Sequence, residues 1–279
     1  MAQQLKHVIV TATAGQWADM GSTGHPQSFY AALHRAGYHG VFLDCATPGY
    51  TEDVSKALIA GLQVQLFQGY WDPMWSSTRA AASRAHSAIQ AAQAVDYPTG
   101  CTLWLDAEGM PAHMGAQTWL DWVNAWSQPI AGAQYTCGVY LSGHYPVSAH
   151  ELYANLPYIH HYWQGIAMSE PVAVRGYTVK QTHVNLTVDG ITIDADSVFA
   201  DNLHQLPAAM ALVPVSGSGT PHTGTPSTST TSNPSTSLTL LASEVAALQK
   251  TVSGHTQALQ QITQALDALV TAAKKMTLP

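Results

Sequence analysis

The amino-acid sequence predicts an α/β barrel carrying a flexible tether and a helical coiled coil. Three observations carry that prediction. Short β-branched or apolar runs alternate with helix-period segments from residue 7 to about residue 205, and the connections between them are short. Composition then changes abruptly, residues 216–237 holding no large apolar side chain. Beyond them, apolar residues recur every seven positions as far as residue 276.

The totals narrow the possibilities. Apolar residues make up 46% of the 279, enough for one large core or two domains. Charged residues are only 10%, against about 25% in an ordinary soluble domain, so Gln, Ser, Thr, His and Asn must cover the surface. A formal charge of −7 disfavours nucleic acid and acidic lipid as partners. Cys45, Cys101 and Cys137 lie within or beside apolar runs; their odd number and wide spacing fit buried free thiols, not a disulfide framework or a zinc site. No run is long enough for membrane insertion, and the first ten residues lack the apolar core of a signal peptide. The expected location is a virion surface if the protein is phage-borne, and otherwise the cytoplasm.

The first strand is expected at residues 7–13 (HVIVTAT), which are short and β-branched. A helix follows over 26–36, with Phe29, Leu33 and Ala36 on one side, Pro26 at its start and Gly37 as its stop. GVFLDC (40–45) is a second buried strand, and a helix over 51–60 turns Val54, Leu58 and Ile59 inward. Strand 63–68 leads into an aromatic loop, GYWDPMW, and then an alanine-rich helix spans 77–95. After the strand that ends in Asp106, a helix over 115–127 carries Trp119, Trp122 and Trp126 at core spacing. Strand 136–142, helix 148–155 and strand 159–164 come next. Segments 176–182 and 190–196 form a last strand pair with no helix between them, an irregular or antiparallel closure. Eight candidate strands over about 205 residues favour a closed (β/α)8-like TIM barrel over an open sheet.

The expected division is a barrel over 1–212, a Ser/Thr/Pro linker over 213–237 and a coiled-coil helix over 238–279. Leu238, Val245, Val252, Leu259, Leu266 and Ala273 form one heptad series, and Leu241, Leu248, His255, Ile262, Leu269 and Met276 the other. Small, uncharged flanking residues encode no distinct partner, so the helix should assemble with copies of itself, as a trimer in preference to a dimer. His255 is a lone polar residue on the seam, and its protonation should loosen the bundle.

The candidate site is the stretch LWLDAEG, residues 103–109. An apolar run closed by acids and a glycine reads as a core strand ending at a loop. Residues two apart on a strand share a face, so Asp106 and Glu108 should project together where a barrel keeps its active site. Crowding of two carboxylates raises the pKa of one, the arrangement that glycoside hydrolysis uses. The plainer reading is an Asp that organises a loop and a Glu that pairs with a base.

Several short motifs together resemble the glycoside hydrolase-like domain related to the family 25 lysozymes, muramidases of bacteria and phages. Asp106-Ala107-Glu108 matches a D-x-E pair closing the fourth strand, Gly138-Val139-Tyr140 a Gly-x-Tyr strand, and Tyr162-Trp163 an aromatic strand. Gln181 and Asp194-Ala195-Asp196 match the closing Gln strand and Asp-x-Asn motif, with Asp196 in place of the Asn. GVFLDCATPG is similar to a further stretch of these domains. The resemblance implies Glu108 as general acid, Asp106 as stabiliser of an oxocarbenium or oxazolinium centre or holder of an acetamido group, and Asp194 or Asp196 in the same acidic wall. It implies Tyr70, Trp71, Tyr140 and Trp163 as lining of sugar subsites, with Asp44 and Gln181 beside them. The lysozymes end their first strand in Asp, whereas Thr11-Ala12-Thr13 stands at the end of the strand expected here. The implied ligand is a bacterial cell-wall glycan, hydrolysed or only bound, with display as a virion component a third reading. No cofactor or metal is implied: the fourteen histidines show no ligand spacing with the cysteines, and there is no phosphate-binding glycine loop.

Overall fold

The computed structural model describes residues 5–69, 77–108, 114–143, 145–168 and 172–214. Its strands are β1 (Leu5–Thr11), β2 (Gly15–Met20), β3 (Gly40–Asp44), β4 (Gln63–Gln68), β5 (Thr102–Asp106), β6 (Thr136–Leu141), β7 (Ile159–Gln164), β8 (Val179–Val188), β9 (Ile191–Val198) and β10 (Ala208–Pro214). Its helices are α1 (Gln27–Arg35), α2 (Tyr50–Ile59), α3 (Thr78–Ala94), α4 (Ala116–Gly132) and α5 (Ala149–Ala154). The linker beyond residue 214 and the heptads of 238–276 lie outside the described residues.

Strands β2 to β9 close into an eight-stranded barrel, sealed by the β4–β5 pairing. β2 through β8 run parallel, and β9 fits between β8 and β2 antiparallel to both. The last strand pair is therefore the antiparallel closure, as the missing helix between its members required.

The first barrel strand is a correction. Residues 7–13 belong largely to β1, which pairs antiparallel with β10 in a separate ribbon. That ribbon pairs with the barrel strands where Met210 meets Val64, near the start of β4. Ala12, just past β1, and Ala209 of β10 pack with Trp17 in the barrel interior, and Ala208 N–H donates to Thr102 Oγ1 at 3.0 Å. The ribbon thus covers the N-terminal end of the barrel, and β2 takes the place expected for β1. β10 also carries strand structure to Pro214, past the expected boundary at 212.

Strand alternation separates two cores. Inside the barrel, Trp17, Phe42, Phe67, Trp104, Tyr140 and Trp163 pack with Val179 and Val198. Phe42 and Trp163 lie 4.3 Å apart between ring centres, and Trp104 meets Trp163 edge-on at 5.7 Å. Room for these rings comes from glycine: a Cβ on Gly40 would meet the Trp17 ring at 2.5 Å, and one on Gly138 would enter the Trp104 ring. The alternate residues, among them Val41, Leu43, Leu66, Leu103, Leu105, Val139 and Leu141, face the helices.

The helices follow from local chemistry. Ser77 caps α3, and Ser148 with Glu151 forms a capping box at α5. Trp119, Trp122 and Trp126 are all buried along α4, which runs five residues past the expected 127. Trp126 donates to Gln68 Oε1 at 2.8 Å, fixing α4 to β4. The three cysteines are buried and free, and burial pushes the Cys101 and Cys137 thiols up to about 12, so they stay protonated. No helix among the described residues is long and apolar enough to cross a membrane.

Candidate active site

The barrel strands deliver acids to one end. Asp106 is the last residue of β5, and its Oδ1 accepts the Glu108 backbone N–H at 2.8 Å. This bond turns the chain as soon as the strand ends, so Glu108 reaches the rim from a turn and is exposed. The two acids reach one cavity, but not as neighbours on one strand.

On the opposite side, β8 shifts register twice against β9, and Asn185 adopts φ 57°. Its N–H donates to Asp194 Oδ1 at 2.8 Å, while Gln181 Nε2 donates to Asp194 Oδ2 at 3.0 Å. Gln181 Oε1 in turn accepts from Tyr140 Oη and from Ile166 N–H, both at 3.2 Å. Burial pushes the Tyr140 hydroxyl up, Ser142 draws it down, and Glu108, Asp106 and Asp19 add to the rise, so it remains a donor.

Asp19 completes the wall. It lies near the end of β2, opposite Asp194. An acid therefore stands near the end of the first barrel strand, whereas Thr11-Ala12-Thr13 closes β1 of the ribbon. Its signal was in the sequence. Trp17-Ala18-Asp19, Phe42-Leu43-Asp44 and Trp104-Leu105-Asp106 each set an aromatic in the barrel and an Asp two residues nearer the mouth. Burial, then Asp196, Asp194, Asp106 and Asp44, hold the Asp19 carboxyl well above the usual carboxylate range.

A cavity of about 360 Å³ opens among these groups, lined by Asp19, Asp106, Glu108 and Asp194 with Tyr140, Gln181 and Ser142. Phe67, Trp163, Ile166, Ala167 and Val184 give it an apolar side. Phe67, Ser142, Ile166 and Val184 had no signal in the sequence, because their roles depend on how loops meet at the mouth.

Other expected residues stand elsewhere. Asp44 does not line the cavity: Oδ1 accepts from Ala46 N–H and Gly69 N–H, each at 2.9 Å, and Oδ2 from Thr47 Oγ1 at 2.7 Å. It organises the loops after β3 and β4. Asp196 is fully buried outside the cavity lining and accepts Trp163 Nε1–H at 2.7 Å. Trp163 is 1% exposed, its faces taken by Phe42 and Tyr140, so it floors the cavity and offers no stacking platform. Tyr70 and Trp71 lie outside the described residues. Among the described residues, no three His, Cys, Asp or Glu side chains are grouped to hold a metal ion.

Residues 31–258, well over half the chain, match the Rv2525c-like, glycoside hydrolase-like domain. The chain belongs to that family. The Tat-secreted protein Rv2525c of Mycobacterium tuberculosis, solved with L-tartrate, superposes with a TM-score of 0.53 at 14% identity, over 69% of this chain and 99% of that one. A B. stearothermophilus protein described as uncharacterized superposes at 0.52 and 13% identity, over 66% and 95% of the two chains. At such identities these likenesses speak to the fold of this Rv2525c-like domain alone. No curated protein matches the chain.

Proposed function

We propose that the cavity takes a bacterial cell-wall glycan, peptidoglycan or a related polymer, and hydrolyses a glycosidic bond in it. The observation that carries this reading is the convergence of Asp19, Asp106, Glu108 and Asp194 on one open cavity at the barrel mouth. Membership of a glycoside hydrolase-like family supports it.

Glu108, exposed at the rim, is placed to give its proton to the leaving glycosidic oxygen as the C1–O bond breaks. Asp106, held in one rotamer by the Glu108 N–H, offers its negative charge to the positive centre left behind. Water then adds at C1 and returns a proton to Glu108. The apolar side of the cavity packs against pyranose C–H surfaces. The heptads of 238–276 would gather several barrels, and a virion surface is a setting that such display suits.

A second reading keeps the ligand and drops the hydrolysis. It is favoured by Asp194, whose two oxygens are both engaged within the protein, and by Asp106, one of whose oxygens is. One experiment separates the two. The unmodified chain should release reducing ends from bacterial cell walls, and Glu108→Gln should lower that rate about 10²–10⁴-fold while still sedimenting with the walls. Wall binding without reducing ends from the unmodified protein leaves the adhesion reading, and neither signal removes both.

A further inference from the structure

β2 and β9 run side by side, with Asp19 opposite Asp194 and Trp17 opposite Asp196. Asp19 and Asp196 are thus diagonal neighbours on the inner face, and of the acids around Asp19 it is Asp196 that raises its carboxyl most. Each keeps one oxygen sealed from solvent with no hydrogen-bond partner among the described residues, Oδ1 on Asp19 and Oδ2 on Asp196. The other oxygen of Asp196 takes the Trp163 indole N–H. Two ionised carboxylates with orphaned, buried oxygens would each bear the full penalty of an unpaired charge, and a single proton between them relieves both.

We propose that Asp19 and Asp196 share one proton, carried on Asp19 Oδ1 and accepted by Asp196 Oδ2, and that Asp196 is the positioning residue that keeps Asp19 neutral at the cavity wall. The proton belongs on Asp19 because the Trp163 N–H stabilises charge on Asp196. Around the pair stand Tyr38 just ahead of β3, Asp44 from β3, Asp106 and Glu108 at the end of β5, Tyr140 from β6, Gln181 from β8 and Asp194 from β9. None is a cation that would favour a second ionised carboxylate. Burial raises Asp196 as well, the Trp163 bond opposing it and Asp194 adding to it.

The consequence for the site is chemical. Asp19 turns a neutral carboxyl oxygen toward the ligand, and the wall carries one negative charge fewer than its count of acids. An Asn side chain at position 196 would donate an N–H to Asp19 Oδ1 and leave Asp19 ionised.

The test needs no ligand, so it stands apart from the glycan reading. Infrared spectra of the full chain at pH 7 should show the C=O band of a buried protonated carboxyl, shifted in D2O. Asp196→Asn and Asp19→Asn should each abolish it, because either amide supplies the N–H that lets the remaining carboxylate ionise. Absence of the band from the unmodified protein, or its survival in either variant, overturns the proposal. Should Asp196→Asn not fold, Asp19→Asn decides through stability. As pH rises above the ordinary carboxylate range the parent should lose stability relative to Asp19→Asn, since only the parent's folded state holds that proton. A stability difference between the two that does not change with pH overturns the shared proton.

Discussion

His161 is the residue at which burial and protonation conflict most plainly. It points into the barrel beside Trp104, 5% exposed, with Nδ1 sealed and unpartnered among the described residues. Burial, with Arg175 and His160 adding to it, pushes its pKa down to about 3. The unfolded chain therefore binds a proton near pH 6.5 that the folded protein refuses until about 3, and stability falls as pH drops through that window. By pH 5 the parent should have lost on the order of 2 kcal/mol relative to His161→Gln, as urea unfolding of both at pH 7 and pH 5 would show. An equal drop in parent and variant would place the acid sensitivity elsewhere. At this scale the sequence exposed Asp106, Glu108, Tyr140, Gln181 and Asp194 as residues of one cavity. It hid Asp19 because GQWADM, with no β-branched residue, is a weaker strand signal than HVIVTAT. It misplaced Asp44 and Asp196 because the sequence cannot show which acid is already engaged by backbone N–H groups or an indole.

Among the elements, β6 shows how a barrel interior filled with tryptophan depends on a missing side chain. Gly138 lies opposite Trp104 in the β5–β6 register, and any Cβ would overlap that ring. Trp104 has little room to move, being bonded to Gln65 and packed edge-on to Trp163. Gly138→Ala should therefore lower unfolding stability by about 1–3 kcal/mol. Gly132→Ala, at the end of α4 with nothing near its Cβ position, should stay within about 0.5 kcal/mol of the parent. Equal urea midpoints for the two variants would mean that the Trp104 layer is more yielding than its contacts suggest. The alternation of strand and helix was legible because β3 to β6 are largely apolar runs buried on both faces and each helix has one buried side. The β1–β10 ribbon was not, since its pairing joins segments about two hundred residues apart and depends on tertiary packing.

For the whole molecule, the barrel's described residues form an acidic cavity, and the proposed coiled coil would multiply it. The heptads from Leu238 to Met276 are the most regular pattern in the amino-acid sequence, and residues 216–237 before them hold no large apolar side chain. Assembly of three chains would gather three cavities, and a polymeric wall offers many identical ligands to each. Linked sites of that kind gain about 10²–10⁴ in apparent affinity with no new contact. The full chain should therefore scatter light as a trimer at micromolar concentration. Leu248→Asp combined with Ile262→Asp, one on each side of His255 along the same seam, should make it a monomer. The monomer should keep its action on, or affinity for, a short soluble glycan, because the described residues that line the cavity all precede 214. Its retention on intact walls should fall by about two to four orders of magnitude. Monomeric behaviour of the unmodified chain, or equal wall retention in both forms, would show that the heptad segment serves some purpose other than gathering barrels.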